Sequence, residues 1–363
     1  MMTFSTARPL LILYLAALAG TAPASDRSNL LKLVEQTLDQ PLPPPGRDNA
    51  TGNLAWGDSY AMQGYVELLA ATGDERFADR MIQHADLVLA VTDEKLGRKD
   101  VFRNQLCPAW GSASYSGNKH YVWAVHTGMI AYPMARFAAV VRGNEMLNAR
   151  FAPQADRLLK AAERAAAVHD SDYREGPAAD EAHLYGLYLK KHLPLNQQNT
   201  IVQTWIALDE ANGDSRHQKK IERLARFFKH RVRLEDDDSY VWEYWPPADG
   251  AGTGAEDISH AAINVDLAAL LFNHGWVFDR QDLDRFANTF TKRVFPSKDR
   301  MADTVDGSGQ GKYERSVLRW GRLARTSPLA KSRLLEYAAT LKAPLASPDF
   351  LGVAYLVSAL TDE

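Results

Sequence analysis

From Trp56 onward, apolar residues recur at three- and four-residue intervals in stretches long enough for helices, broken by short polar turns. Trp56–Ala71 is one such stretch. Thr72-Gly73-Asp74 interrupts it, and a second runs from Glu75 to Val91. Gly73 suits the turn and Asp74 the N-cap of the second helix. The unit returns later in the chain. ELLAATGDERFADRMIQHADLVL (67–89) lies over ALDEANGDSRHQKKIERLARFFK (207–229), with Leu68, Ala71, Gly73, Asp74, Arg76 and Ala85 meeting Leu208, Ala211, Gly213, Asp214, Arg216 and Ala225. Looser copies are Tyr121–Val141 with Leu147–Val168, and Ser259–Asn273 with Asp282–Val294. Tyr313–Leu323, Leu329–Leu341 and Asp349–Leu360 complete the pattern, and a short amphipathic helix over Ser28–Leu38 precedes it.

Helix–Gly turn–helix units with little strand signal predict stacked αα-hairpins. Closing such a stack into a ring buries both of its ends. The expected fold is therefore all-α, an (α/α) toroid of about five to six helical hairpins over residues 56–363, preceded by an N-terminal helix and Pro/Gly-rich connector over 25–55. An open solenoid of the tetratricopeptide kind is the competitor. The unequal connectors 93–119, 169–194, 234–256 and 296–311 speak against so regular a repeat.

Composition narrows the class. At 363 residues, 46% hydrophobic and 24% charged, the chain is globular rather than disordered or fibrous. A formal charge of -3 argues against a nucleic-acid surface. A single cysteine, Cys107, excludes an internal disulfide and a Cys-based zinc site. Residues 1–24 read as a cleavable export signal: Arg8, the apolar run Leu10–Leu18, then Ala22-Pro23-Ala24. No later segment is apolar for a membrane span. The expected address is periplasmic or secreted, with no membrane contact after cleavage.

The connectors are unusual. Trp56-Gly57-Asp58-Ser59-Tyr60 opens the first hairpin. Trp110, then Asn118-Lys119-His120-Tyr121-Val122-Trp123 and His126, precede or open the second. Asn196-Gln197-Gln198-Asn199 starts another helix, and Tyr240-Val241-Trp242-Glu243-Tyr244-Trp245 leads through a flexible stretch to Glu256-Asp257-Ile258-Ser259-His260. Each cluster falls at or just before the first helix of a hairpin, so a toroid brings them to one rim. Exposed Trp and Tyr faces beside amides and carboxylates suit sugar rings and their hydroxyls. The expected partner is a polysaccharide or oligosaccharide.

Structural roles compete for some of these residues. Trp56, Trp205 and Trp320 sit on helical stripes and read as core. Asp58 and Asp257 divide evenly between N-caps and site groups. His84, His217 and His230 fall on outer helices. Arg216–Arg233 carries eight Lys or Arg against Glu222 and reads as a solvated face. No metal-ligand spacing is present and no cofactor is called for; Glu235–Asp238 reads as a solvated acidic turn rather than a Ca²⁺ loop.

Two chemistries fit the rim. β-Elimination on a uronate needs a neutralised carboxylate, a base for the adjacent proton and an acid for the leaving oxygen. Asn118, Asn196 and Gln197 are the donors, His120, His126 or His260 the base, and Tyr121 or Tyr244 the acid. Glycoside hydrolysis needs two carboxylates, from Asp58, Glu243, Glu256 and Asp257. Trp110, Trp242, Trp245, Tyr60 and Lys119 are the remaining expected substrate contacts. The same rim could also bind a polysaccharide without cleaving it.

The hairpin pattern behind an export signal resembles the (α/α) polysaccharide lyases and six-hairpin glycosidases. Asn118-Lys119-His120-Tyr121-Val122-Trp123 resembles the Asn-Asn-His-x-Tyr-Trp signature of toroid alginate lyases, which implies His120 as base. Lys119 stands where that signature has its second Asn, and Tyr121 stands one place early. The hairpin rhythm and Asn196-Gln-Gln-Asn199 are also similar to the helical domain of glucuronyl C5-epimerases. Epimerases and lyases share abstraction of the C5 proton, so both resemblances imply a uronate.

Overall fold

The computed structural model describes residues 22–247 and 252–361, with side chains from Ser25. Apart from its last three residues, which begin the first helix, the expected export signal lies outside the described residues. In chain order the helices are α1 (Ala22–Leu38), α2 (Ser59–Thr72), α3 (Glu75–Leu89), the single turn α4 (Asp93–Leu96), α5 (Ala124–Arg142), α6 (Glu145–Ala167), α7 (Leu195–Asn212) and α8 (Gln218–Lys229). There follow α9 (Ile258–Asn273), α10 (Arg280–Asn288), a 3-10 helix (Glu314–Arg325), α11 (Pro328–Ala338) and α12 (Ser347–Ala359). Short antiparallel strands in the connectors pair as β1 (Lys99–Asp100) with β2 (Gln105–Leu106), β3 (Tyr173–Glu175) with β4 (Ala182–Gly186) with β5 (Lys191–His192), and β6 (Arg233–Leu234) with β7 (Tyr240–Val241).

Six helices form the inner wall. α2 packs on α5, α5 on α7, α7 on α9, α9 on the 3-10 helix, that helix on α12, and α12 returns to α2. Their outer partners are α3, α6, α8, α10, α11 and α1. The ring is thus an (α/α) toroid of six hairpins. α1, read from the sequence as a segment ahead of the ring, takes the sixth outer place against α12, and the Leu345 N–H donates to the Thr37 hydroxyl at 3.0 Å across the join.

Local chemistry explains the elements. Gly73 and Gly213, matched in the repeat, both end their helices in the left-handed region at φ 69° and 64°. Asp74 caps α3 by accepting the Arg76 N–H, and Asp257 caps α9 by accepting those of Ser259 and His260. Inner helices are buried on nearly all sides, as α5 is from Ala124 to Ala135. A Cβ at Gly128 would lie 2.4 Å from Thr200 Oγ1, so glycine sets how closely α5 approaches α7. Outer α8 buries Ile221, Leu224, Ala225 and Phe228 and turns its cations outward, where Lys220, Arg223, Arg226 and Lys229 pair with Asp170, Glu175, Glu222 and Asp282. The acidic turn is similarly held, with Arg293 on Asp237 and Arg285 on Asp238.

The axis of the ring is filled by one polar network. Arg322 on the 3-10 helix pairs with Asp266 of α9 and with Glu67 of α2 at 2.8 Å, reaches the Tyr132 hydroxyl of α5 at 3.3 Å, and lies over the Tyr355 ring of α12 at 4.6 Å. Gln203 of α7 donates to Asp266 at 3.0 Å, and Gln63 of α2 donates to Tyr355 at 2.5 Å. Every inner helix contributes at least one side chain, and α2 contributes two. Removing one member of such a buried charge set leaves the others unpaired. Arg322→Met is expected to lower unfolding stability by about 3–5 kcal/mol, read as a shift in urea midpoint. A midpoint unchanged from wild type would mean the network is not what holds the ring closed.

Candidate active site

The inner helices all point their N-terminal ends the same way, and there they enclose a cavity of about 540 Å³. Trp56 and Tyr60 enter from α2 and its lead-in, Trp123 and His126 from the start of α5, and Asn196 and Gln197 from α7. Ser259 and His260 come from α9, Ser316 and Arg319 from the 3-10 helix, and Pro348 from α12. Tyr115, Tyr244 and Trp245 from the connectors complete the wall. Helix N-termini carry partial positive charge, so their convergence favours negative charge in the cavity. Among the described residues, no Asp or Glu lines it.

His260 is the group best placed for proton transfer. Asp257 Oδ2 lies 2.7 Å from its Nδ1, off the angle of an ideal hydrogen bond, which leaves Nε2 available to the cavity. Burial raises the Asp257 carboxyl, but the His260 ring and the Ser259 and His260 N–H groups outweigh it and hold it below the usual carboxylate range. Asp257 therefore stays a carboxylate that orients the imidazole. The Tyr244 ring centroid is 5.1 Å from that of His260. Burial pushes the Tyr244 phenol up to about 12, against a hydrogen bond from Gln197, so it keeps its proton.

His126 differs. The Asn49 amide nitrogen contacts its Nδ1 at 3.1 Å while also donating to Trp110 O, and Asn49 Oδ1 accepts the Ala55 N–H. That fixed amide makes Nδ1 the acceptor and puts the proton on Nε2. Burial pushes this imidazole down to about 3, so it is neutral. Trp56 stands edge-on between the two imidazoles, 5.7 Å from His126 and 6.0 Å from His260. Buried atoms without a protein partner include His126 Nε2, Trp123 Nε1, Asn196 Oδ1 and Gln197 Oε1, donors and acceptors together. Such an array suits a ligand carrying many hydroxyls.

Of the residues expected at the rim, His126, His260, Tyr244, Asn196, Gln197, Trp245 and Tyr60 are brought together. Others are not. His120 holds Asp93 through Nε2 at 2.7 Å, away from the cavity. Asn118 and Lys119 form an exposed turn, with Asn118 at φ 60°. Tyr121 is buried, bridged to Ser112, and its oxygen accepts the Leu187 N–H. That bridge ends the loop before α5 begins, so the alginate-lyase-like string turns into the connector as far as Tyr121 and only its Trp123 reaches the cavity. Trp110 is core, donating to Val88 O at 2.9 Å, and Trp242 is core, donating to Glu256. Glu256 is fully buried, and desolvation raises it well above the carboxylate range despite hydrogen bonds from Trp242 and Asn264. Glu243 sits in a bridge to Ala255, off the wall.

Asp58 faces outward, 2.8 Å from His84 of α3 and 3.4 Å from Arg47, and neither caps a helix nor reaches the cavity. Its neighbour Trp56, expected in the core, lines the cavity instead. Both departures follow from the π turn Leu54–Asp58, whose extra residue rotates the lead-in relative to a 3.6-residue repeat. Trp205 and Trp320 are core as expected. Tyr115, Trp123, Ser259, Ser316 and Arg319 were not singled out as site residues; only Trp123, inside the quoted motif, carried a signal.

No protein family matches the sequence, and no curated protein does. Solved structures match the fold along nearly the whole chain. An α-1,6-mannanase of Salegentibacter sp. HEL1_6, bound to α-1,6-mannotriose, superposes with a TM-score of 0.58 at 13% identity, covering 93% of this chain and 99% of that one. A family 88 glycosyl hydrolase from Bacteroides vulgatus gives 0.55 at 11%, covering 93% and 98%. A polysaccharide lyase gives 0.53 at 11%, covering 94% and 97%. The chain has the (α/α) toroid fold of carbohydrate-active enzymes of these kinds.

A neutral His126 binds no proton in the folded state until about pH 3, whereas an unfolded imidazole takes one up near its usual pKa of about 6.5. Its contribution to stability is thus lost as pH falls through that window. His126→Asn is expected to flatten the acid side of the stability curve, and the His126 ring resonances are expected not to move between pH 8 and 4. Titration within that range would contradict the assignment.

Proposed function

We propose that this protein is an exported polysaccharide lyase that cleaves a uronate-containing glycan by β-elimination. The observation that carries the reading is the His260–Asp257 pair beside Tyr244 in an aromatic cavity whose lining, among the described residues, includes no carboxylate. His260 Nε2 takes the C5 proton. The C5–H electron pair forms the C4=C5 bond, the C4–O4 bond breaks, and the Tyr244 proton passes to the departing oxygen. Asn196 and Gln197 stabilise the charge that develops on the sugar's carboxylate. Trp56, Trp123 and Trp245 supply stacking faces. The products are two shorter chains, one ending in an unsaturated uronate.

Hydrolysis by paired carboxylates draws less support. Asp58 is on the far side of α2, Glu243 is off the wall, and Asp257 is committed to His260 and the α9 cap. The fold itself accommodates both hydrolases and lyases. The absence of a helix long and apolar enough to span a membrane among the described residues is compatible with release after export.

Incubation with alginate, pectate and glucuronan oligosaccharides is expected to yield the ultraviolet absorbance of a C4=C5 uronate with one of them. His260→Gln and Tyr244→Phe are each expected to lower kcat about 10²–10⁴-fold with little change in substrate binding. New reducing ends without that absorbance would replace elimination with hydrolysis.

A further inference from the structure

We propose that Arg319 reads the acid group of the ligand and makes the cavity selective for anionic over neutral glycans. The proposal rests on the reading that the cavity holds a uronate, and it names the residue that imposes this choice.

Arg319 and Arg322 lie one turn apart on the same 3-10 helix, and both are deeply buried. Their surroundings differ in charge. Arg322 is neutralised by Glu67 and Asp266. Arg319 donates from Nη1 to the Tyr60 hydroxyl at 2.7 Å, and from Nη2 to Ser259 O at 2.8 Å and Ser259 Oγ at 2.6 Å. All three acceptors are neutral. Burial raises the Tyr60 phenol above its ordinary value, an effect that Arg319 opposes only in part, so Tyr60 supplies no counter-charge. Among the described residues no carboxylate pairs with Arg319, and its Nε is buried without a partner.

Neither nearby acid forms an ion pair with Arg319 among the described residues. Asp257 holds His260 and caps α9. Asp349, in the first turn of α12, is pushed up to about 6 by burial and by Glu314, against Arg315 and Arg319; its Oδ1 is buried without a partner and it feels the Arg319 charge without bonding to it.

A buried guanidinium whose hydrogen bonds all go to neutral oxygens gains from a carboxylate that pairs with it directly. This one lines the cavity onto which the inner helices converge their N-termini. Arg319 has no direct ion-pair partner among the described residues, and a ligand's acid group in the cavity supplies one. A guanidinium fork held from behind by three hydrogen bonds matches a carboxylate better than a hydroxyl. It also stands on the α9 side, where Ser259 joins it directly to the turn carrying His260, so the sugar whose acid it holds is the one that His260 can reach.

The test is binding without turnover. In a His260→Gln background, tryptophan fluorescence is titrated with tetrasaccharides of mannuronate, guluronate, glucuronate and galacturonate. Each is compared with its carboxyl-reduced counterpart. The acidic form of at least one is expected to bind about 10–100-fold more tightly than its neutral counterpart. Adding Arg319→Gln is expected to abolish that preference, the acidic and carboxyl-reduced forms then binding equally, and Arg319→Lys to restore part of it. If no acidic glycan is preferred with Arg319 present, the proposal fails without recourse to the variant's folding. If the preference survives Arg319→Gln in a folded protein, another group reads the acid and the proposal also fails. Failure of the elimination reading looks different: an Arg319-dependent preference together with a wild-type protein that forms no unsaturated product.

Discussion

Neutralisation of Arg322 is the constraint around which the rest of this molecule is arranged. A cation on the ring axis must be satisfied from several directions, and the six inner helices do so with Glu67, Tyr132, Gln203, Asp266, Tyr355 and Arg322 itself. Apolar packing between neighbouring helices sets their spacing but leaves rotation about each axis less determined. The directional bonds of the network fix that rotation. Once it is fixed, the first turns of the same helices have no freedom in which side chains they present. The floor thereby determines the composition of the cavity above it.

Two positions one turn apart on the 3-10 helix show how position converts one residue type into two roles. At Arg322 the guanidinium is a structural tie, with both its charge and its donors consumed. One turn earlier, at Arg319, it is braced by neutral oxygens and its charge is left over. The same contrast separates the two imidazoles flanking Trp56. His126 is held neutral by burial and by Asn49, which suits a fixed donor. His260 is backed by the Asp257 carboxylate, which orients its ring at the cavity wall.

The hairpin rhythm was legible because it rests on spacing and turn chemistry. The matched Gly73 and Gly213 turns and the Asp74 cap could be read locally, and the placement of aromatic clusters just ahead of first helices located the cavity's common end. What escaped reading depends on rotation or on distant pairing. A single π turn reversed the outlook of Trp56 and Asp58. The string around His120 looked like a catalytic signature, yet the Ser112–Tyr121 bridge and the Asp93 carboxylate, set by tertiary structure, turn it away. Arg319 was not singled out, because what distinguishes it, three neutral acceptors and no ion pair among the described residues, is set by tertiary packing.

The sixth outer place is filled by α1, from the opposite end of the chain, against α12. Its contacts therefore span almost the whole sequence, which raises contact order and defers closure until synthesis of the last helix is complete. A nascent chain holds only an open arc of hairpins, with the edge of α2 unsatisfied. Because the first and last helices end up side by side, joining them and opening a surface connector elsewhere would give a circular permutant with the same contacts and a different order of assembly.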